Sequence, residues 1–244
     1  MRLLVVDVDG CLTPGEGRPL DLAVLRQIAQ ANRRAQGDGG PAVTLCTGRQ
    51  EPYVEVLMQA IGGYLPAIYE NGCGLYFPLE YRFQEHPAIT AAMRHALAET
   101  RSLLQERAVA TGKGYFQPGK ECSLSLYPLP GTTVHDLRLL VEEALSARPT
   151  GYQVQGAVSS VDVVPQGMDK GEGVRWLARE TGIPLAEMAG LGDSPSDLAF
   201  LSLVGFSAAP ANAAAEVKAR VHYVSPYAHG RGVLDVLRRM QGLQ

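Results

Sequence analysis

Lysine is scarce in this chain: of 22 basic residues only Lys113, Lys120, Lys170 and Lys218 are lysines, and the other 18 are arginines. A lysine inside a motif is therefore seldom there by chance, which singles out Lys170. Excess positive charge is missing too. With 25 acidic residues the net charge is −3, so the chain lacks the basic footprint that binding a phosphate backbone demands, and nucleic acid is excluded as a partner. Cysteine is sparse: Cys11, Cys46, Cys73 and Cys122 are spaced by 35, 27 and 49 residues, which matches neither a zinc pattern nor a redox CxxC. They read as reduced thiols in a cytoplasmic protein. Long apolar runs are absent as well. The run Leu3–Val6 is broken at once by Asp7, too short for the core of a secretory signal. The segment Leu198–Ala211 carries no charge but is only 14 residues and contains Gly205 and Pro210, short of the ~20 apolar residues that cross a bilayer. No membrane partner is expected. What the chain does have is apolar content: 46% of its 244 residues are hydrophobic, enough to bury the core of one large domain or two modest ones.

The periodicity alternates between buried strands and amphipathic helices. Strands are expected at 2–8, 41–46 and 67–70, with helices at 21–36 and 51–61 between them. This is the start of a parallel sheet covered on both faces. The pattern then changes. A hairpin around Pro78 is followed by a helix (88–107), two strands (113–117 and 121–127), a second helix (132–147) and two more strands (152–155 and 158–164). A helix-strand-strand unit thus occurs twice, and it implies a small open sheet with two helices on one face. In the strand 121–127, alternation puts Cys122, Leu124 and Leu126 on the helix side and Glu121, Ser123, Ser125 and Tyr127 on the other. That polar face makes Ser123 and Ser125 substrate-binding candidates. After Pro165 the first pattern resumes with helices at 170–181, 195–201, 211–220 and 233–240 and strands at 188–192, 204–208 and 221–224. The expected fold is α/β, a Rossmann-like doubly wound and mostly parallel sheet. Its core comprises residues 1–82 and 166–244, and an α+β cap of doubled αββ units is inserted at 83–165.

Four strand or helix ends carry chemistry. The first strand runs into Asp7-Val8-Asp9-Gly10, two carboxylates on one side of the chain at the carboxyl edge of a buried strand, where open parallel sheets bind ligands. The second strand ends in Thr47-Gly48-Arg49, which supplies a hydroxyl, a glycine-freed backbone and a guanidinium at the equivalent edge. Lys170 opens a helix, the wrong end of the dipole for a cation, so it has no helix-stabilising role there. A bound phosphate supplies one. In Gly192-Asp193-Ser194-Pro195-Ser196-Asp197, Ser194 and Pro195 read as a helix start, with Asp197 as the acidic partner in a near-capping box. Asp193 has no such structural duty and suits a hard cation. Carboxylates, a hydroxyl and a lysine at one sheet edge make a Mg²⁺ and phosphate site.

In their order and placement these motifs resemble the haloacid dehalogenase superfamily of phosphatases. Glu70-Asn71-Gly72 and Asn212-Ala213 are similar to the branch that holds sucrose-phosphate phosphatase, mannosyl-3-phosphoglycerate phosphatase and archaeal phosphoglycolate phosphatase. The resemblance implies that Asp7 is the nucleophile, forming an aspartyl-phosphate, and that Asp9 protonates the leaving alkoxide and then deprotonates the attacking water. It further implies Mg²⁺ on Asp7, the backbone carbonyl of Asp9 and Asp193, with Asp197 orienting metal-bound water. Thr47 and Lys170 would take phosphoryl oxygens, and Gly48, Arg49, Asn71 and Ser196 would complete the substrate-binding set. Two positions depart from the family pattern: Cys11 stands where threonine is usual, and Ser196 where many relatives carry asparagine.

The activity so implied is Mg²⁺-dependent hydrolysis of a small phosphorylated metabolite such as a sugar phosphate or phosphoglycolate. A sugar phosphomutase using the same aspartyl-phosphate is the alternative within enzymes. A receiver-type phosphorylation switch is the alternative of another class, disfavoured because a receiver needs about half this length and the second carboxylate of DxD serves turnover. The five histidines show no ligand spacing, Trp176 sits at core spacing on a helix, and Cys11 and Cys73 read as packed thiols.

Overall fold

The computed structural model describes residues 1–37 and 39–242. It divides the chain into two compact units, one made of Met1–Gln84 with Asp169–Gln244 and the other of Glu85–Met168.

In the first unit the chain runs β1 (Leu3–Val6), α1 (Leu22–Gly37), β2 (Ala42–Leu45), α2 (Glu51–Ala60), β3 (Ala67–Tyr69), β4 (Gly74–Phe77) and β5 (Arg82–Glu85). The second unit contributes α3 (Ala91–Leu104), β6 (Gly114–Phe116), β7 (Leu124–Pro128), α4 (Val134–Ala147), β8 (Tyr152–Gly156) and β9 (Val161–Pro165). The chain then returns to the first unit through α5 (Lys170–Thr181), β10 (Met188–Leu191), α6 (Leu198–Leu201), β11 (Phe206–Ala209), α7 (Ala215–Lys218), β12 (Tyr223–Val224) and α8 (His229–Gly242).

Five parallel strands form the main sheet in the order β12-β11-β10-β1-β2. β1, an interior strand between β10 and β2, is apolar on both faces. Leu4 and Val6 join a cluster with Val24, Ile28, Leu57 and Val233, whereas Leu3 and Val5 join Val174, Trp176, Phe200 and Val217 on the other side. This double burial is why β1 reads as an unbroken apolar run rather than an alternating one. The strand expected at 67–70 does not simply extend the parallel sheet. β3 touches the second strand through one parallel bridge, Cys46 to Ile68, and gives its other edge to an antiparallel meander in the order β3-β4-β5.

One helix matches expectation and another does not, each for an identifiable reason. α5 spans the expected residues because Asp169 caps its start, its carboxylate accepting from Glu172 N at 2.8 Å, and Gly182 ends it in a left-handed turn at φ 64°. The helix expected at 211–220 shrinks to the four residues of α7. The N–H of Ala214 is committed to the carbonyl of Asp193 at 2.9 Å, and Ala213 N closes a turn onto Pro210. A distant loop has taken the hydrogen bonds that a longer helix would use.

In the second unit the sheet order is β6-β7-β9-β8, antiparallel throughout. Leu97 and Leu104 of α3 and Leu137, Val141 and Leu145 of α4 pack against Leu124, Leu126, Val161 and Val163. Thr133 caps α4 in a reciprocal box with Asp136. On the opposite face Ser125 stands beside Asp162 across the β7–β9 ladder.

Candidate active site

Strand register assembles the site. Val6, the last residue of β1, is paired with Leu45 on one side and Leu191 on the other. Asp7, Cys46-Thr47 and Gly192-Asp193 therefore leave the sheet at one edge, tied by Asp7 N to Leu191 O at 2.9 Å and Cys46 N to Val6 O at 2.9 Å.

Lys170 lies at the centre of the charges. Its Nζ donates to Asp7 Oδ1 at 2.7 Å and to Asp197 Oδ1 at 2.5 Å, and all three side chains are buried. Burial works against the ammonium, but the charges of Asp197 and Asp7 outweigh it and hold Lys170 well above the ordinary lysine range. Asp197 is saturated: its Oδ2 accepts from Asp193 N, Ser194 N and Ser194 Oγ at 2.9–3.0 Å. Its carboxylate thus braces Lys170 and the 193–197 turn at once. Ser196 joins that turn by a hydroxyl contact with Ser194 at 2.9 Å.

Asp193 faces Asp7 from the next strand, and Cys11 completes the group. One ligand atom from each of Asp7, Cys11 and Asp193 lies within 4.8 Å of the others, with Cys11 Sγ donating to Asp193 Oδ1 at 3.6 Å. Burial, together with the neighbouring charge of Asp197, pushes the Asp193 carboxyl up to about 6, while Lys170 opposes the shift. Burial and then the surrounding carboxylates likewise raise the Cys11 thiol. The buried Asp7 and Asp197 and the half-buried Asp193 thus surround one ammonium, so the donor set fits a divalent cation, with Asp7 and Asp193 as its carboxylate ligands. The side chain of Asp197 is not among the converging ligand atoms, nor is that of Asp9.

Asp9 instead meets Arg49, whose Nε and Nη2 reach its two carboxylate oxygens at 2.6 and 2.8 Å. The rest of the second-strand loop is built around Asn71. Its N–H donates to Thr47 O at 2.9 Å, Arg49 N donates to Thr47 Oγ1 at 3.1 Å, and the Asn71 amide lies against Gly48, 3.0 Å from where a Cβ would be. Asn71 has the left-handed φ of 57°, a conformation asparagine tolerates better than most residues. Ser123 and Ser125 belong to the second unit, both buried. There Ser125 accepts from Lys120 Nζ and donates to Asp162, to which Ser160 also donates at 3.2 Å.

Three contacts have no counterpart in the sequence reading: Cys11 beside Asp193, Arg49 on Asp9, and a clamp on the first loop. In the clamp, Asn212 Nδ2 and His229 Nδ1 both donate to Gly10 O, at 2.8 and 3.0 Å, and His229 N donates to Asn212 Oδ1 at 2.9 Å. His229 thus braces the first loop, and it holds a φ of 51° to do this. Its partner is 219 residues away, so no local pattern announces it. Gly10 meets a stricter demand than an ordinary turn. At φ 93° an added Cβ would sit 2.2 Å from Asp193 Oδ2. Gly10→Ala is expected to displace Asp193 and weaken binding of a divalent cation on the order of 10–100-fold, as read by calorimetric titration. Unchanged affinity would show that the loop does not set the Asp193 position.

Residues 141–237 match the haloacid dehalogenase-like hydrolase family. A protein named phosphoglycolate phosphatase from Methanothermobacter thermautotrophicus is 26% identical over 254 aligned positions, covering 99% of this chain and all of that one. A solved Thermoplasma acidophilum structure superposes with a TM-score of 0.76 at 23% identity, covering 99% of this chain and 98% of that one. The sucrose-phosphatase of Synechocystis, solved with sucrose and phosphate, gives 0.71 at 20% identity, covering 99% of both. The two structural likenesses establish the fold: an α/β chain with a parallel sheet and inserted antiparallel strands. No helix among the described residues is long and apolar enough to cross a membrane.

Proposed function

We propose that this chain, which belongs to the haloacid dehalogenase-like hydrolases, is a Mg²⁺-dependent phosphomonoesterase that hydrolyses a small phosphorylated metabolite through an aspartyl-phosphate on Asp7. The observation that carries this reading is the position of Asp7. Its carboxylate lies at the sheet edge with Lys170 on one oxygen, while the ligand atoms of Asp193 and Cys11 converge beside it.

Asp7 attacks phosphorus, its P–O bond forming as the bond to the leaving alkoxide breaks. Asp9 gives that alkoxide a proton and later takes one from the water that attacks the phosphoenzyme, regenerating Asp7 and releasing phosphate. Lys170 and Thr47 hold phosphoryl oxygens, with Gly48, Asn71 and Ser196 lining the substrate side. Arg49, now spent on Asp9, is the guanidinium a phosphate would compete for. Asp7, the backbone carbonyl of Asp9 and Asp193 would hold Mg²⁺, with Asp197 steadying the turn behind them. When bound, the cation supplies positive charge that offsets repulsion between an anionic nucleophile and an anionic substrate. Phosphoglycolate is the first metabolite to test, because relatives carry that name. The four cysteines are buried, and their reading as reduced thiols supports a cytoplasmic setting.

Hydrolysis of an aryl phosphate near neutral pH is expected to vanish in EDTA and return with added Mg²⁺. Full activity under thorough chelation would sink the proposal, as would inactivity with Mg²⁺ on every phosphate ester tried.

We further propose that the inserted segment, residues 83–165, is a cap that selects the leaving group through Ser123 and Ser125. Because Ser125 is buried and hydrogen-bonded on both sides, the informative change is Ser125→Ala, which adds no bulk. It is expected to lower kcat/KM for the best metabolite at least tenfold more than for an aryl phosphate, in line with ~1–3 kcal/mol for a buried group left unpaired. Equal losses on both substrates would show that this serine does not read the leaving group.

A further inference from the structure

The first loop puts a sulfur where the chemistry proposed for the site needs only oxygen. Because Gly10 turns at φ 93° directly against Asp193, the next side chain, Cys11, enters the same space as the two carboxylates. Among the described residues, Asp7, Cys11 and Asp193 are the one group of three whose ligand atoms approach within 4.8 Å. The Sγ to Asp193 Oδ1 separation of 3.6 Å also has a meaning in coordination geometry. Metal–sulfur and metal–oxygen bonds of ~2.3 and ~2.0 Å at a tetrahedral angle place sulfur and oxygen about 3.5 Å apart. Sulfur and carboxylate thus already stand at the spacing of two ligands on one tetrahedral ion. The other three cysteines are also buried, but none of them belongs to this group.

We infer that this cation site also takes a thiophilic divalent ion of the zinc, cobalt or cadmium class, with Cys11 as a thiolate ligand beside Asp7 and Asp193, in competition with Mg²⁺. A site of oxygens alone favours Mg²⁺ or Mn²⁺, and one thiolate moves the preference toward softer ions. On binding, the S–H bond of Cys11 breaks, its proton passes to solvent, and the electron pair left on sulfur forms the bond to the metal. Charge is largely offset as well: a dication and the Lys170 ammonium balance all but one of the negative charges of Asp7, Asp193, Asp197 and the thiolate. Bound this way, a thiophilic ion occupies both carboxylates that the hydrolytic reading assigns to Mg²⁺, so it acts as an inhibitor.

The inference rests on the proposed cation site, but its test needs no turnover. Metal-free full-length protein is titrated with Co²⁺ while the near-ultraviolet region is watched for sulfur-to-cobalt charge transfer, and Zn²⁺ affinity is read by competition with a chromophoric chelator. The native protein is expected to develop the charge-transfer band to an endpoint of one equivalent. Cys11→Ser is expected to lose the band and to bind Zn²⁺ at least about tenfold more weakly, since even an indirect neighbour of a metal is worth 10–100-fold. Cobalt that binds with ligand-field bands alone would overturn this inference and leave the hydrolytic reading standing. Failure to bind Co²⁺, Zn²⁺ or Mg²⁺ would overturn both. A band that survives in Cys11→Ser would place the thiolate elsewhere and overturn the inference. Should that variant not fold, anomalous diffraction from native crystals soaked in Zn²⁺ decides: a peak at bonding distance from Cys11 Sγ supports it, and a peak on the carboxylates alone refutes it.

Discussion

Replacing Lys170 by alanine is expected to lower both stability and activity by large amounts. The lysine is the one ammonium among Asp7, Asp193 and Asp197, and it is buried with ion-pair distances of 2.7 and 2.5 Å to Asp7 and Asp197. Removing it leaves the buried Asp7 and Asp197 without their counter-charge, a loss on the order of 3–5 kcal/mol for breaking a buried pair from one side. For a chain of this size that corresponds to a fall in Tm of about 6–20 °C. Activity should fall by on the order of 10²–10³, the usual cost of losing one preorganised charge contact to the reacting group. Thermal melts followed by circular dichroism, with and without added Mg²⁺, check the first expectation. The melt without Mg²⁺ should show the larger fall, because a divalent cation in the cluster replaces part of the missing charge. A variant that melts within 2 °C of the native protein, as read by those melts and against the ~6 °C lower bound above, would show that the carboxylates shed their charge instead.

Asp7→Asn is expected to separate these two effects. It removes the proposed nucleophile, so turnover should drop by on the order of 10⁴ or more, and no acid-stable mass increase should accumulate when the enzyme is quenched with substrate. Stability should not fall. Asp7 is a carboxylate whose charge burial disfavours and whose neighbours Asp197 and Asp193 repel it, against the opposing attraction of Lys170. An isosteric amide removes that repulsion, and Lys170 keeps its bond to Asp197. The same quench applied to Asp9→Asn should still reveal a phosphoenzyme when the leaving group is good, because that residue is assigned to proton transfer. Covalent phosphate recovered on any residue other than Asp7 would overturn the assignment.

The contrast between what could and could not be read from the sequence follows contact distance. β1 and β10 were legible because both their faces are buried, which leaves an apolar run ending at a charged motif. α5 was legible to the residue because its cap, Asp169, and its terminating Gly182 are both local. α7 was not, since what shortens it is a hydrogen bond from Ala214 to Asp193 in another loop. The same division holds at the site. The residue types at the strand ends pointed to their chemistry, whereas the Asp9–Arg49 pair, the sulfur beside Asp193 and the hold of Asn212 and His229 on Gly10 depend on how loops fold over one another. Periodicity carries no information about that.

The interior place of β1, between β10 and β2, has a consequence for biosynthesis. Leu3–Val6 is among the first segments to leave the ribosome, yet one of its two sheet partners, Met188–Leu191, is made 185 residues later. At ~5–20 residues per second the wait is about 10–40 s, during which the apolar edge of the first strand is open to any other unpaired strand. β2 and α1 arrive early and cover part of it, but the edge that β10 will occupy stays bare until translation is nearly finished. Nascent chains halted before about residue 188 are therefore the species most in need of chaperone protection. The residue proposed as nucleophile, at the tip of that strand, gains its lysine, its partner carboxylate and its loop clamp only as the last third of the polypeptide docks.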